Sequence, residues 1–118
     1  MNIQKVFENN QAWISDRLQH DEQYFEDLSK GQSPKMLYIG CSDSRVTAEE
    51  LMGAKPGEVF VPRNIANMVP NLDLSVMSVI NYAVCHLEVE DIVICGHYFC
   101  GGVNAAMQAQ DLGLLNPW

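Results

Sequence analysis

Val6, Trp13, Ile14, Leu18, Phe25 and Leu28 recur at helical spacing through residues 2–30, with acidic residues filling many of the positions between them. That period marks one face of an α-helix, so an amphipathic helical arm is expected here, interrupted near His20-Asp21 and stopped by Gly31. After Pro34 the pattern changes. Met36-Leu37-Tyr38-Ile39-Gly40 is a short unbroken apolar run that predicts a buried strand. Residues 47–52 predict a short helix ended by Gly53, and Glu58-Val59-Phe60-Val61 a second strand after the Lys55-Pro56-Gly57 turn, with Arg63-Asn64 at its carboxyl end. Leu74, Val76, Met77, Val79, Ile80, Ala83 and Val84 crowd residues 73–87, predicting a helix covered on most sides. Asp91-Ile92-Val93-Ile94-Cys95-Gly96 reads as a parallel strand buried on both faces, and residues 101–109 as a last helix. Strand and helix in alternation predict an α/β fold, a parallel β-sheet with flanking helices joined by right-handed crossovers.

Composition narrows the setting. A chain of 118 residues, 47% hydrophobic and 19% charged, fits one domain over 1–118, with the arm at 1–30 and the sheet core at 31–118. The formal charge of −8 repels phosphate, which excludes nucleic acid and an anionic membrane surface as expected partners. No apolar run approaches the roughly 18 residues needed to span a bilayer, and Met1-Asn2-Ile3-Gln4-Lys5 lacks the charged and apolar regions of a secretory leader, so a cytoplasmic location is expected. Cys41, Cys85, Cys95 and Cys100 therefore read as reduced cysteines rather than disulfides.

Two short segments carry the candidate chemistry. Cys41-Ser42-Asp43-Ser44-Arg45 and Cys95-Gly96-His97-Tyr98-Phe99-Cys100-Gly101-Gly102 each follow a predicted strand, at the carboxyl edge where open α/β sheets place their ligands. Together Cys41, His97 and Cys100 offer sulfur and nitrogen donors for one zinc ion, with Asp43 as a conditional fourth ligand. Arg45 can hold Asp43 off the metal by a bidentate hydrogen bond; the lesser alternative is a plain loop ion pair. Cys95 is the rival ligand, but a strand position turns its side chain into a sheet face, and both it and Cys85 read as core packing. His20 and His86 read as surface groups, and Arg63 as a residue free to pair with one of the many acids. A thiol redox role is disfavoured because no CxxC is present.

Taken in order, Cys41-Ser42-Asp43-Ser44-Arg45, Pro56-Gly57-Glu58, Arg63-Asn64-Ile65-Ala66-Asn67 and Gly96-His97-x-x-Cys100-Gly101-Gly102 make the chain resemble a β-class carbonic anhydrase. The resemblance runs nearly from Gly31 to Val103. It implies zinc-dependent reversible hydration of carbon dioxide to bicarbonate and a proton, with one Zn2+ per chain on Cys41, His97 and Cys100. It further implies Asp43 and Arg45 as the catalytic dyad, Gln32 as a substrate-orienting glutamine, Tyr82 as an aromatic lining the substrate channel, and a homodimer or higher homo-oligomer. Some bacterial members carry tryptophan where Tyr38 stands, in an inhibitory bicarbonate site, so that regulation is not expected here. Members also continue past Trp118 with further strands and helices, so an incomplete sheet is expected.

On this reading Asp43 accepts a hydrogen bond from the nucleophile, Arg45 fixes Asp43, and the Gly102 N–H donates to a bicarbonate oxygen. Two thiolates neutralise more of the metal's charge than imidazoles do, so activity is expected to favour alkaline pH, with Asp43 closing the site at lower pH. The competing expectation is a truncated, non-catalytic zinc-binding structural module in which Asp43 closes the site at every pH. The arm's apolar stripe exceeds what so small a domain needs, which suggests that it packs on a second subunit.

Overall fold

A computed structural model describes all residues, Met1–Trp118, and divides them into two compact units, Met1–Gln32 and Ser33–Trp118. In the first unit the expected interruption of the arm is present: α1 spans Ile3–His20 and α2 spans Tyr24–Ser29. The Asn2 side chain caps α1 by accepting from the Lys5 N–H at 2.9 Å. Trp13 meets Tyr24 and Phe25 edge-on at 6.4 and 5.3 Å, and the Arg17 guanidinium lies 5.6 Å from the Tyr24 ring. These contacts fold α2 back on α1, yet neither helix contains a buried residue.

The second unit is built on β1, Met36–Cys41. It pairs in parallel with β2 (Val59–Phe60) through Met36↔Val59 and Leu37↔Phe60, and with β3 (Arg63–Asn64) through Gly40↔Arg63 and Cys41↔Asn64. The two registers continue one another along the same edge of β1, so β2 and β3 form one strand broken at Val61-Pro62, where proline has no N–H to donate. On the other edge β4 (Asp91–Cys95) pairs with β1 from Met36↔Asp91 to Gly40↔Cys95. Between the strands run α3 (Ala48–Met52), closed by Gly53 at φ 62°, and α4 (Leu74–Cys85), capped by Asp73. The last helix is α5, Gly101–Ala106. The parallel sheet with flanking helices is thus as the hydrophobic pattern predicted. The added finding is that Arg63-Asn64 is itself a ladder element rather than only the end of one.

Leu37 and Ile39, two apart on β1, face the same way and pack with Val76 and Ala83 of α4; all four are buried, and Phe60, Met77, Val79, Ile80 and Val89 close around them. Burying each of Leu37, Ile39 and Val76 contributes about 1.5–3 kcal/mol, and the Ala83 methyl less. Three expectations are corrected. α4 is covered along one face only, with Leu74 82% and Val84 46% exposed. Cys85, expected in the core, ends that helix exposed and bonds Asn81. β4, expected to be buried on both faces, leaves Ile92 and Ile94 about half exposed at 51% and 57%, because β1 is its sole strand neighbour and the sheet is not closed.

Register partners therefore differ in what they contribute. Leu37→Ala is expected to cost about 2–5 kcal/mol, whereas Ile92→Ala, its half-exposed partner on β4, should cost about 1 kcal/mol or less. Urea midpoints at unchanged m-value would check the difference.

Candidate metal centre

Cys41 is the last residue of β1, His97 lies two residues past β4, and Cys100 directly precedes α5. Because β1 and β4 are paired up to Gly40↔Cys95, the two loops leave the sheet side by side. The ligand atoms of Cys41, His97 and Cys100 all lie within 4.8 Å of one another, and the two sulfurs are 3.9 Å apart. Sulfurs bound to one tetrahedral zinc at about 2.3 Å stand about 3.8 Å apart, so the sulfur pair already has the spacing of a zinc site and the imidazole lies close beside it. His97 adds a second sign. Its Nδ1 donates to the Tyr98 carbonyl at 3.0 Å, while Nε2 is buried with no hydrogen-bond partner. A buried lone pair left unmet costs about 1–3 kcal/mol, and a second-atom bond to a carbonyl is how ligating imidazoles are oriented.

Burial pushes the Cys41 thiol up, but the Asp43 backbone N–H, the His97 imidazole, the Ala66 backbone N–H and Cys100 outweigh it and bring it down to about 7. The pocket is thus built to hold sulfur as thiolate. Asp43 is held by Arg45 in three ways: Nε to Oδ1 at 2.9 Å, Nη2 to Oδ2 at 2.6 Å, and the backbone N–H to Oδ1 at 2.9 Å. The Arg45 side chain, then its N–H, keeps the carboxyl well below the usual carboxylate range against the opposing effect of burial. Asp43 Oδ2 sits 3.9 Å from His97 Nε2, beside the donor cluster. Arg45 Nη2 also reaches the Phe99 carbonyl at 3.4 Å, bridging the two loops.

Backbone strain and close packing gather at the same place. Phe99 has φ 56° and Ala66 φ 67°, left-handed values that are unfavourable for residues with a Cβ and that cluster at functional sites. Gly102 lies in the first turn of α5, where N–H groups lack helical acceptors; a Cβ there would come within 2.5 Å of Ile65 Cγ2. Two cavities flank His97. One of about 730 Å³ is lined by Arg45, Val46, Leu51, Cys95, Gly96, His97 and Tyr98. Another of about 530 Å³ lies against Tyr98, Phe99, Val103 and Met107.

The remaining anticipated residues lie outside the donor set. Cys95, the rival ligand, donates to the Gly96 carbonyl; burial first, then the neighbouring Cys95 thiol, pushes Tyr38 up to about 12. Tyr82 stacks between Phe60 and His86 on α4, at the Leu37 end of β1, and lines neither cavity beside His97. Gln32 is exposed and closes the first unit. His20 and His86 are both exposed. Arg63 pairs with no acid: it bonds carbonyls of the metal loop, a role that its place directly after a strand hinted at and that sequence reasoning passed over.

The chain is similar to known proteins over most of its length. The family profile described as "Carbonic anhydrase" matches residues 36–118. A carbonic anhydrase of Emericella nidulans is 63% identical over 114 residues, covering 97% of this chain and 50% of that protein. One of Candida albicans is 42% identical over 115 residues, covering 95% of this chain and 41% of the relative. Among solved structures, a tetrameric β-carbonic anhydrase of Sordaria macrospora superposes with a TM-score of 0.94 at 42% identity, over 98% of this chain and 59% of that one. The chain spans about half the length of the curated relatives it matches.

Zinc requires its sulfur ligands deprotonated. With the Cys41 thiol at about 7 rather than 9.0, this group's proton release on zinc binding is expected to vanish as pH rises through about 7 and to weaken binding below it. Calorimetric zinc titration in buffers of different ionisation enthalpy measures that release. A Cys41 contribution persisting up to pH 9.0 would contradict the depressed thiol.

Proposed function

The chain belongs to the β-carbonic anhydrase family, and from that premise we propose that it catalyses zinc-dependent reversible hydration of carbon dioxide to bicarbonate and a proton. One observation carries the reading: a fully ionised carboxylate, Asp43, stands at the edge of a two-sulfur, one-nitrogen donor set but is turned away into a bidentate pair with Arg45. Three protein ligands with the fourth carboxylate withheld is the coordination pattern of a catalytic zinc rather than a structural one. When bound, zinc would acidify a water to serve as nucleophile, with the two thiolates setting that acidity on the alkaline side of neutral.

The chain's own groups do the rest. Cys41 and Cys100, both buried, and His97, oriented by the Tyr98 carbonyl, would hold the ion. Asp43, ionised throughout the working pH range, can only accept, so it takes a proton donor's hydrogen bond and turns that donor's free lone pair toward substrate. Arg45 keeps Asp43 in place and off the metal. Carbon dioxide is apolar and enters against walls such as Val46 and Leu51, and the Gly102 N–H is the donor assigned to the oxygen on which charge develops. Gln32 and Tyr82 are proposed to contact substrate from a second copy of the chain, since Tyr82 stands apart from its own metal centre. The exposed apolar positions of the arm support a homodimer or larger homo-oligomer, and the relative from Sordaria macrospora is tetrameric.

A second reading, a non-catalytic zinc module, draws on the same 3.9 Å separation: Asp43 is near enough to swing onto the ion and close it. Zinc content and stopped-flow carbon dioxide hydration separate the two. Cys100→Ser is expected to lose zinc, whereas Asp43→Asn should keep zinc and lose turnover by about 10²-fold or more. Full turnover in zinc-loaded Asp43→Asn would remove the proposed role of Asp43, and no turnover in the zinc-loaded parent would favour the closed module.

A further inference from the structure

Arg63 carries a full positive charge immediately beside the metal loop, yet forms no ion pair with any Asp or Glu of the chain. Its guanidinium instead gathers three backbone carbonyls. Nε donates to Cys41 O at 2.8 Å, and Nη2 donates to Asp43 O at 2.6 Å and to Val46 O at 2.8 Å. Those oxygens belong to a zinc ligand, to the carboxylate that decides whether the site is open, and to the residue that ends the loop. Hydrogen bonds to a charged donor contribute roughly twice what neutral ones do. Spreading three over one rigid planar fork fixes peptide orientations as well as distance, which a lysine's single ammonium does not reproduce.

Its register partner makes the fork effective. Gly40↔Arg63 pairing anchors the Arg63 backbone to β1, one residue before Cys41, so the side chain braces the loop from the same sheet edge at which the loop begins. The next residue, Asn64, clips the following turn: its side chain donates to Met68 O at 2.7 Å and accepts from Met68 N at 2.7 Å. That clip spans the turn that contains Ala66, whose φ of 67° is left-handed. One strand end thus braces the loop that follows Cys41 and closes the turn beyond itself.

We infer that Arg63 is a positioning residue of the metal centre, acting through the carbonyls of Cys41, Asp43 and Val46 to hold the Cys41 sulfur on the donor set and the Asp43 carboxylate against Arg45. The inference deepens the function proposed above and rests on it. It ascribes to Arg63 a role that touches neither substrate nor ion.

The test uses the full chain loaded with Zn2+ or Co2+. Arg63→Gln is expected to raise the zinc dissociation constant by about 10–100-fold, the usual effect of losing an outer support of a metal ligand. It should shift the visible absorption bands of the cobalt form and lower kcat with KM little changed. Val76→Ala, in the core beneath β1, is the stability control: it should lower the melting temperature while leaving zinc affinity and the cobalt spectrum as in the parent. Arg63→Lys should fall between Gln and the parent in zinc affinity. If Arg63→Gln only lowers the melting temperature, as Val76→Ala does, the inference is overturned. Should Arg63→Gln not fold, Arg63→Lys decides: parental zinc affinity and cobalt spectrum overturn the inference, and weakened affinity beyond that of a Val76→Ala control supports it. If the zinc-loaded parent hydrates no carbon dioxide, the proposed function fails, while the metal affinities and spectra still decide the role of Arg63.

Discussion

Backbone pairing between β1 and β4 sets the distance on which the metal centre depends. Parallel strands run about 4.8 Å apart, and the ladder ends at Gly40↔Cys95, so the chain leaves both strands at one height and on one side of the sheet. Cys41 is then the next residue on one strand, and His97 the second past the other. A slip of one residue would turn Cys41 to the opposite face and take its sulfur away from Cys100. The register is secured well away from the metal, by Leu37 and Ile39 packed on α4 and by the bonds from Glu90 and Asp91 N–H to the Lys35 carbonyl at the other end of the pair.

Around that frame the charges are arranged so that each arginine has a separate task. Arg45 neutralises Asp43 and turns it aside. Arg63, with no carboxylate of its own, takes up carbonyl dipoles. In a chain with net charge −8 most cations would find an acid on the surface, so a guanidinium spent wholly on backbone oxygens points to a demand for rigidity in that loop. The same demand explains strain at Ala66 and Phe99: left-handed φ at residues bearing a Cβ costs about 1–3 kcal/mol each, and both lie next to groups that hold a ligand sulfur or a ligand imidazole in place.

The outer edges of the sheet show the converse. Ile92 and Ile94 have the composition of buried strand residues but stand half exposed, and the arm bears a tryptophan, two phenylalanines and several aliphatic residues without burying one of them. Apolar surface of this kind is held out of water in stable proteins by further sheet or by another subunit, in keeping with relatives about twice as long and with the tetrameric assembly of the Sordaria macrospora protein.

Local signals were sufficient for most of the architecture. The period change after Pro34, the Gly53 stop and the apolar 91–95 run each reflect an interaction within a few residues, and such interactions are written directly in the order of side chains. The donor set was legible for the same reason: Cys41, His97 and Cys100, like the neighbouring Asp43 and Arg45, are chemically distinctive and lie at or just past strand ends. What could not be read was anything that turned on a distant neighbour. Cys85 looked like core until α4 proved to be covered on one face, Arg63 looked like an ion-pairing residue until three carbonyls reached it, and nothing local showed that Tyr82 packs on Phe60, apart from its own chain's donor set. The sequence by itself determined which elements form and which atoms are able to bind a metal, because helix period, strand period and ligand chemistry are local. Only the tertiary structure decided that the sulfurs lie 3.9 Å apart and that Asp43 faces Arg45 rather than the donor cluster, because those distances come from strand register and loop bracing across residues far apart in the chain.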